Sequence, residues 1–301
     1  MLKYKINIYN KRFIIKKLFQ SFAGKHPYLN FEQLIDYFSI FGGTTELEID
    51  YFATLFEFIE NKLVNNFDVI SSQIKPSYIL ESPYREVLMA IAKGDGKIYS
   101  SIKKARLNEH LGENIIDDLT KLGIIRLEAS KELETNSHKK HRIQSKLRFK
   151  KPFFRFWFGF VEPYRESLET KDASKFIENF KAHYERLRSL IFEHLSEEFL
   201  IDYYNHNGIN IVFSGSYWDK DNEFDIVALN ESREVILAEC KYKDRKICKN
   251  ELTKLKAKAM QSNLPAKHWV LFSKQGFSME LKNSKNKDLL LFDLQDLSKW
   301  K

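Results

Sequence analysis

Cysteine is nearly missing from this sequence: Cys240 and Cys248 are the two in 301 residues. Two thiols cannot build the disulfide framework of a small secreted domain, and Cys240 sits inside an apolar run. The expectation is a reduced chain in a cytoplasmic compartment. Long apolar stretches are missing too. No run approaches the ~18 residues of a membrane span, and the opening MLKYKINIYNKRFIIKKLFQ scatters Lys and Arg among its apolar residues, leaving no signal-peptide core. A G-x-x-x-x-G-K-[ST] phosphate loop is also absent. Gly42-Gly43-Thr44-Thr45 is too short and has no lysine, so any nucleotide-driven activity would need a separate ATPase partner.

What is present points to a globular protein with a phosphate-bearing partner. The chain is 43% hydrophobic and 14% aromatic, and 301 residues suffice for two domains with sizeable cores. The net charge is +8, unevenly spread. Residues 131–155 carry +7 and residues 240–260 carry +6, so the remainder sums to −5. Concentrated basic stretches on an otherwise acidic chain favour a nucleic-acid backbone, the alternative being solvated surface.

The most informative stretch is Gly215–Lys241, GSYWDKDNEFDIVALNESREVILAECK. Two apolar runs, Phe224–Leu229 and Val235–Cys240, flank the polar turn Asn230–Glu234 and read as neighbouring strands of a buried sheet. Yet the first contains Asp225, and the second ends in Glu239 and Lys241. With a two-residue period, Glu239 and Lys241 share a face with Val235 and Leu237, while Ile236, Ala238 and Cys240 form the other. Charges at such places require compensation, by a metal or by an ion pair capping the strand end.

An Asp on one strand followed by Glu-x-Lys on the next resembles the core of the PD-(D/E)XK nuclease superfamily. The resemblance implies Asp225 and Glu239 as ligands of Mg²⁺ (or Mn²⁺), with Lys241 serving the attacking water or the phosphate. Hard cations take carboxylate oxygens, and a metal-bound water is a usable nucleophile at neutral pH. SYWDKDNEFDIVAL…VILAECKYK is similar to the nuclease-like C-terminal domain of a group of uncharacterised archaeal and bacterial ATPases, and HRIQSKLRFKKPFFRFWFGFV (residues 141–161) resembles that group's linker. The likeness covers roughly residues 80–300. The departures are Ser216 and Tyr217 where the group has Arg and Trp, Tyr242 where Trp is usual, and the missing ATPase module.

In order along the chain, residues 1–80 read as a helical region of unknown role, with helices at Phe31–Phe41 and Ile49–Leu63, the second under a Thr44 or Thr45 cap. Residues 81–150 resemble a winged helix: helices at Tyr84–Ala92, Tyr99–Ala105 and Glu113–Leu122, then a hairpin from Ile124–Glu128 returning at Arg142–Phe149. Its third helix carries Glu113, Asp117 and Asp118 against Lys121, which disfavours major-groove reading. Residues 151–174 form an aromatic linker whose PFFRFWFGFV is expected in a core or an interdomain seam.

Residues 175–301 are the nuclease-like domain, opening with one long helix over Lys175–Tyr204. The resemblance implies a metal-site Glu from this helix, and Glu193 fits best, with Glu197 one turn away and Glu198 less suited. Asn210–Phe213 is expected as a strand ending in a Ser214-Gly215 turn, and Glu223 as either a supporting carboxylate or a strand-start charge. Lys254 and Lys258 on the helix Asn250–Met260, together with Lys243, Lys140 and Arg142, are the expected backbone contacts. Closing strands are expected at Lys267–Phe272 and Leu289–Phe292.

The expected fold is α/β: a helical and winged-helix region followed by a restriction-endonuclease-like domain with a central mixed sheet. The expected activity is metal-dependent DNA cleavage with low sequence specificity and no membrane contact. The rival readings are a catalytically silent DNA- or protein-binding module working with a separate ATPase, and a winged-helix transcription regulator.

Overall fold

The computed structural model describes residues 13–45, 48–130 and 145–299. Helices come first: α1 (Phe13–Lys25), α2 (Phe31–Phe41), α3 (Leu55–Asn65) and α4 (Phe67–Ser71). α2 occupies the span its apolar spacing predicts and starts in a capping box between Asn30 and Gln33. α3 does not start where expected. Thr44 Oγ1 donates back to Phe41 O at 2.8 Å and Thr45 bonds Gln73, so both threonines serve the end of α2. The cap falls instead on Thr54, in a box with Glu57. Gly42 and Gly43 are likewise a helix end, with Gly43 at φ +91° and Gly42 O accepting from Phe153 N at 3.1 Å.

Next come α5 (Tyr84–Lys93), α6 (Ile98–Lys104) and α7 (Glu109–Lys121), then the antiparallel pair β1 (Ile125–Glu128) and β2 (Lys146–Phe149). This is the order expected of a winged helix. Gly123, at φ +74°, ends α7. The hairpin loop, with Lys140 and Arg142, lies outside the described residues. The aromatic run forms α8 (Pro152–Phe156), which widens into a π turn at Trp157–Val161, and α9 (Arg165–Glu169) follows. Phe153, Phe156, Trp157 and Phe158 are buried to 1% or less, so the run is core.

The single long helix expected over Lys175–Tyr204 is two, α10 (Ser174–His183) and α11 (Glu185–His206), meeting at Tyr184. The apolar stripe runs on across the break, but its two parts bury against different neighbours. Phe176 and Phe180 meet Phe156, whereas Phe199 meets Phe272 and Phe292 of the sheet. A stripe of constant period cannot register that change of partner.

The sheet has five strands in the order β3 (Ile211–Trp218), β4 (Glu223–Asn230), β5 (Val235–Lys241), β6 (Ala266–Ser273) and β7 (Leu289–Asp293). The first three are antiparallel and the last two join in parallel, giving a mixed sheet. β3 runs through the expected Ser214-Gly215 turn to Trp218, and a register shift between Gly215 and Tyr217 replaces the turn. α12 (Lys249–Gln261) crosses from β5 to β6, and α13 (Met279–Lys282) and α14 (Leu294–Lys299) complete the chain. Alternation along β5 divides its side chains as expected. Ile236, Ala238 and Cys240 join the large cluster that contains Leu195 and Leu200 of α11, while Val235 and Leu237 join a second cluster with Leu252, Leu255 and Ala259 of α12.

The helical front is fastened to the sheet by charge. Lys274, after β6, reaches Glu32 of α2 and Asp244 at 2.5 Å each. Arg188 of α11 reaches Glu185 at 3.0 Å and Asp36 of α2 at 3.6 Å. The Tyr242 ring lies between the two cations, 5.2 Å from each. Among the described residues no helix is long and apolar enough to cross a membrane.

Candidate functional site

β4 and β5 pair from Leu229↔Val235 to Ile226↔Ala238, and the described ladder stops there. On its other edge β4 carries a bulge: Val227 faces Gly215 but Phe224 faces Tyr217, so three steps on β4 match two on β3. An extra residue of this kind bends a strand and re-aims its side chains. Asp225 stands at that place. Its Oδ2 accepts from Cys240 N at 2.8 Å, a donor that a continued ladder would have directed at residue 224. The carboxylate of β4 is thus pinned to the end of β5, where Glu239 and Lys241 project.

Glu239 is 7% exposed and held by two ammonium groups. Lys241 Nζ donates to Oε1, and Lys258 Nζ of α12 donates to Oε2 at 2.8 Å and to Glu223 O at 3.0 Å. Burial pushes the Glu239 carboxyl up, but Lys241 and Lys258 outweigh it and hold the group below its ordinary range. Burial lowers Lys241 in turn, and Glu239 more than restores it.

Asp225 behaves oppositely. Burial first, then the Glu239 charge, lift it to about 6, against the opposing pull of the Cys240 N–H and the two lysines. Glu193, on the side of α11 next to Phe192, is lifted to about 8 by burial and then by Asp225, with Arg148 opposing. The Asp225 carboxyl is thus raised by the charge of Glu239, and in turn raises Glu193. Glu197 is taken up by Ser214 at 2.5 Å. Glu223 bonds Lys146 of β2 at 2.7 Å, which ties the β1–β2 pair to the sheet margin; Ser130 adds bonds to Trp218 N and O at 2.8 and 2.7 Å.

The oxygen donors suit a hard cation. Among the described residues no group of three or more His, Cys, Asp or Glu side chains is placed to hold a metal ion. Mg²⁺ keeps several waters and is commonly bound through one or two carboxylates plus substrate phosphate oxygens, and Asp225 and Glu239 are the two carboxylates that would serve it.

Beside the carboxylates, between the end of β5 and α12, opens a groove of about 730 Å³. Lys241, Lys243, Arg245, Lys246, Lys254 and Lys258 line it, against Glu239 and Glu251. Of the expected backbone contacts, Lys243 and Lys254 are exposed on this groove, Lys254 bonding Glu251 at 3.2 Å. Lys258 is different: it reaches the carboxylates themselves. Lys140 and Arg142 lie outside the described residues.

Sequence reasoning missed the place of Lys258 at Glu239, for which its one-turn spacing from Lys254 was a partial signal. It also missed the charged layer under Glu193. There Arg126 and Arg148 overcome burial to hold Glu128 at about 2, and His194 is driven to about 3 by burial and then Arg126. No sequence signal pointed to that layer, because its members come from β1, β2 and α11.

One family model matches, over residues 157–259: DUF234, archaeal and bacterial proteins of unknown function. The matched segment contains Glu193, Asp225, Glu239, Lys241 and Lys258. No curated protein matches the chain. Two solved structures show distant likeness. One, a protein of unknown function AF1548, is 14% identical with a TM-score of 0.28, over 35% of this chain and 64% of its own. The other, protein VC1899 from Vibrio cholerae, is 12% identical with a TM-score of 0.30, over 82% of this chain and 55% of its own. The chain thus spans less than two thirds of either.

Proposed function

We propose that this protein is a metal-dependent nuclease of the PD-(D/E)XK type that hydrolyses DNA phosphodiesters with low sequence specificity. The observation that carries the reading is the convergence of Asp225 and Glu239, from neighbouring strands, with Lys241 at the mouth of a cationic groove. Asp225 and Glu239 would hold Mg²⁺ or Mn²⁺, and Glu193 would assist. When bound, the ion would supply a water acidic enough to attack phosphorus and neutralise charge on the phosphate.

The chain's own residues do the rest. The Cys240 N–H holds the Asp225 carboxylate in place. Lys241, kept protonated by Glu239, offers positive charge to the scissile phosphate rather than removing a proton. Lys243 and Lys254 offer charge to neighbouring phosphates along the groove, and α7, with Asp117 paired to Lys121, offers little that reads bases. Two free thiols suit a cytoplasmic setting. A separate ATPase is the proposed protein partner.

The test incubates supercoiled plasmid and single-stranded DNA with Mg²⁺ or Mn²⁺ and wild type, Asp225→Asn or Lys241→Met. Cutting by wild type alone supports the reading. DNA binding without cutting by any of the three would replace it with the silent binding module, which the neutralised state of Glu239 also favours. Binding confined to one duplex sequence would favour a transcription regulator.

A further inference from the structure

Lys258 is bound to the carboxylate centre from a different element than the strand pair that builds it. Its ammonium sits 2.8 Å from Glu239 Oε2 and 3.0 Å from Glu223 O, and Lys241 takes the other oxygen of Glu239. Both oxygens of the buried Glu239 carboxylate therefore accept from cations of the chain itself. A divalent ion arriving at Glu239 meets the repulsion of two ammonium groups at contact distance, and that repulsion falls when one of them moves away.

Lys241 shares the strand with Glu239 and projects on the same face two residues away, so its backbone keeps it beside the carboxylate. Lys258 reaches Glu239 from α12. Its Nζ lies over the Phe224 ring, 5.2 Å from the centroid, and the side chain is 28% exposed on the groove, one turn from Lys254. Such a flexible aliphatic stem with a compact, strongly hydrated head can move between two partners.

Resting on the nuclease reading, we infer that Lys258 is the resting counter-ion of Glu239, displaced by the divalent cation and received by a phosphate of the backbone in the groove. In the metal-free protein it shares with Lys241 the neutralisation of a buried carboxylate. Once the metal binds, the freed ammonium adds one phosphate contact. Metal and nucleic acid then strengthen each other's binding by the same factor, as reciprocity between binding free energies requires. The cation enters efficiently where a phosphate backbone is present to receive Lys258, which keeps the centre unloaded in the absence of substrate.

The measurement is calorimetric titration of the full chain with Mn²⁺, alone and with a phosphorothioate DNA duplex that resists cleavage. Lys258→Met keeps a long unbranched side chain without the charge, Lys258→Gln guards against misfolding of the first variant, and Lys258→Arg keeps the charge. Without DNA, both neutral variants are expected to take up Mn²⁺ about tenfold more tightly than wild type, and Lys258→Arg no more tightly. With the duplex, wild-type affinity is expected to rise about tenfold more than that of the neutral variants. Mn²⁺ affinity that is unchanged or weaker in both folded neutral variants overturns the role of Lys258 while leaving the metal site standing. No uptake by any protein, with or without DNA, overturns the metal site and this inference together.

Discussion

Two clusters of buried charge lie at the end of β5, and each is the other turned inside out. In the clamp that ties α2 to the sheet, the cations are buried at 5% (Arg188) and 4% (Lys274) exposure, and Glu185 and Asp244 face outward at 62% and 63%, while Asp36 goes inward at 17%. In the carboxylate centre the acid is buried and the cations face outward, with Glu239 at 10% against Lys241 and Lys258 at 26% and 28%. A buried cation ringed by outer carboxylates repels a metal and locks elements together. A buried carboxylate under movable lysines, at the edge of a cationic groove, can exchange its counter-ions. The count of acids and bases is similar in the two, and their order from inside to outside separates a latch from a candidate site.

The largest effect should come from removing the buried acid. Glu239→Gln is expected to abolish metal-supported cleavage, a loss of ~10³-fold or more for several kcal/mol of lost charge stabilisation. The fold should survive, and a plasmid-nicking time course is the check. Breaking the latch should do the reverse. Arg188→Ala leaves Asp36 buried without its cation and is expected to cost ~3 kcal/mol of stability, read from the urea midpoint. The variant that remains folded should still bind Mn²⁺. A large loss of metal binding in that variant would mean that the two clusters are one unit.

A pH series sharpens the contrast next. Glu193 and Asp225 are lifted above the ordinary carboxylate range, to about 8 and about 6, Glu193 by burial and the Asp225 charge, Asp225 by burial and the Glu239 charge. A raised folded-state value means that their contribution to stability is complete at low pH and is lost as pH rises through those values. Melting temperature of the metal-free protein should therefore fall by a few degrees between about pH 4 and about pH 8, while Mn²⁺ affinity climbs. Asp36, lifted to about 6 by burial, adds to the lower part of that fall. Glu193→Gln should remove the fall above about pH 6 and shrink the part below it, and an unchanged upper step in that variant would place its origin elsewhere.

The smallest effect concerns the groove wall. Lys243→Ala should weaken duplex binding two- to threefold, equally for all sequences, and reduce the salt slope by about 1. Lys267→Ala, which breaks a surface pair with Glu234, should change neither.

Much of this arrangement was legible in the sequence. The spans of α2, α5 and α12, the two faces of β5 and the charge of the groove follow from local periodicity and composition. Asp225, Glu239 and Lys241 stood out because charged residues interrupt apolar strands. The start of α3 was misread because the same T-x-x-E spacing occurs at Thr45 and at Thr54, and only the packing of Gln73 decides between them. The break at Tyr184 was invisible because the apolar stripe keeps its period across it. The end of β3 was misplaced because Ser214 and Gly215, turn formers in isolation, are held in the strand by pairing with β4.

By itself the sequence determined which residues carry charge into an apolar sheet, and that a helix with lysines at one-turn spacing follows them. Only the tertiary structure decided that Lys258 reaches Glu239, that Glu193 lies behind Asp225, and that α2 is latched to the loop after β5. Periodicity along a chain is a local property set by backbone geometry. Which distant charge neutralises a buried one depends on where crossovers and bulges bring the elements together, and desolvation makes that choice matter energetically.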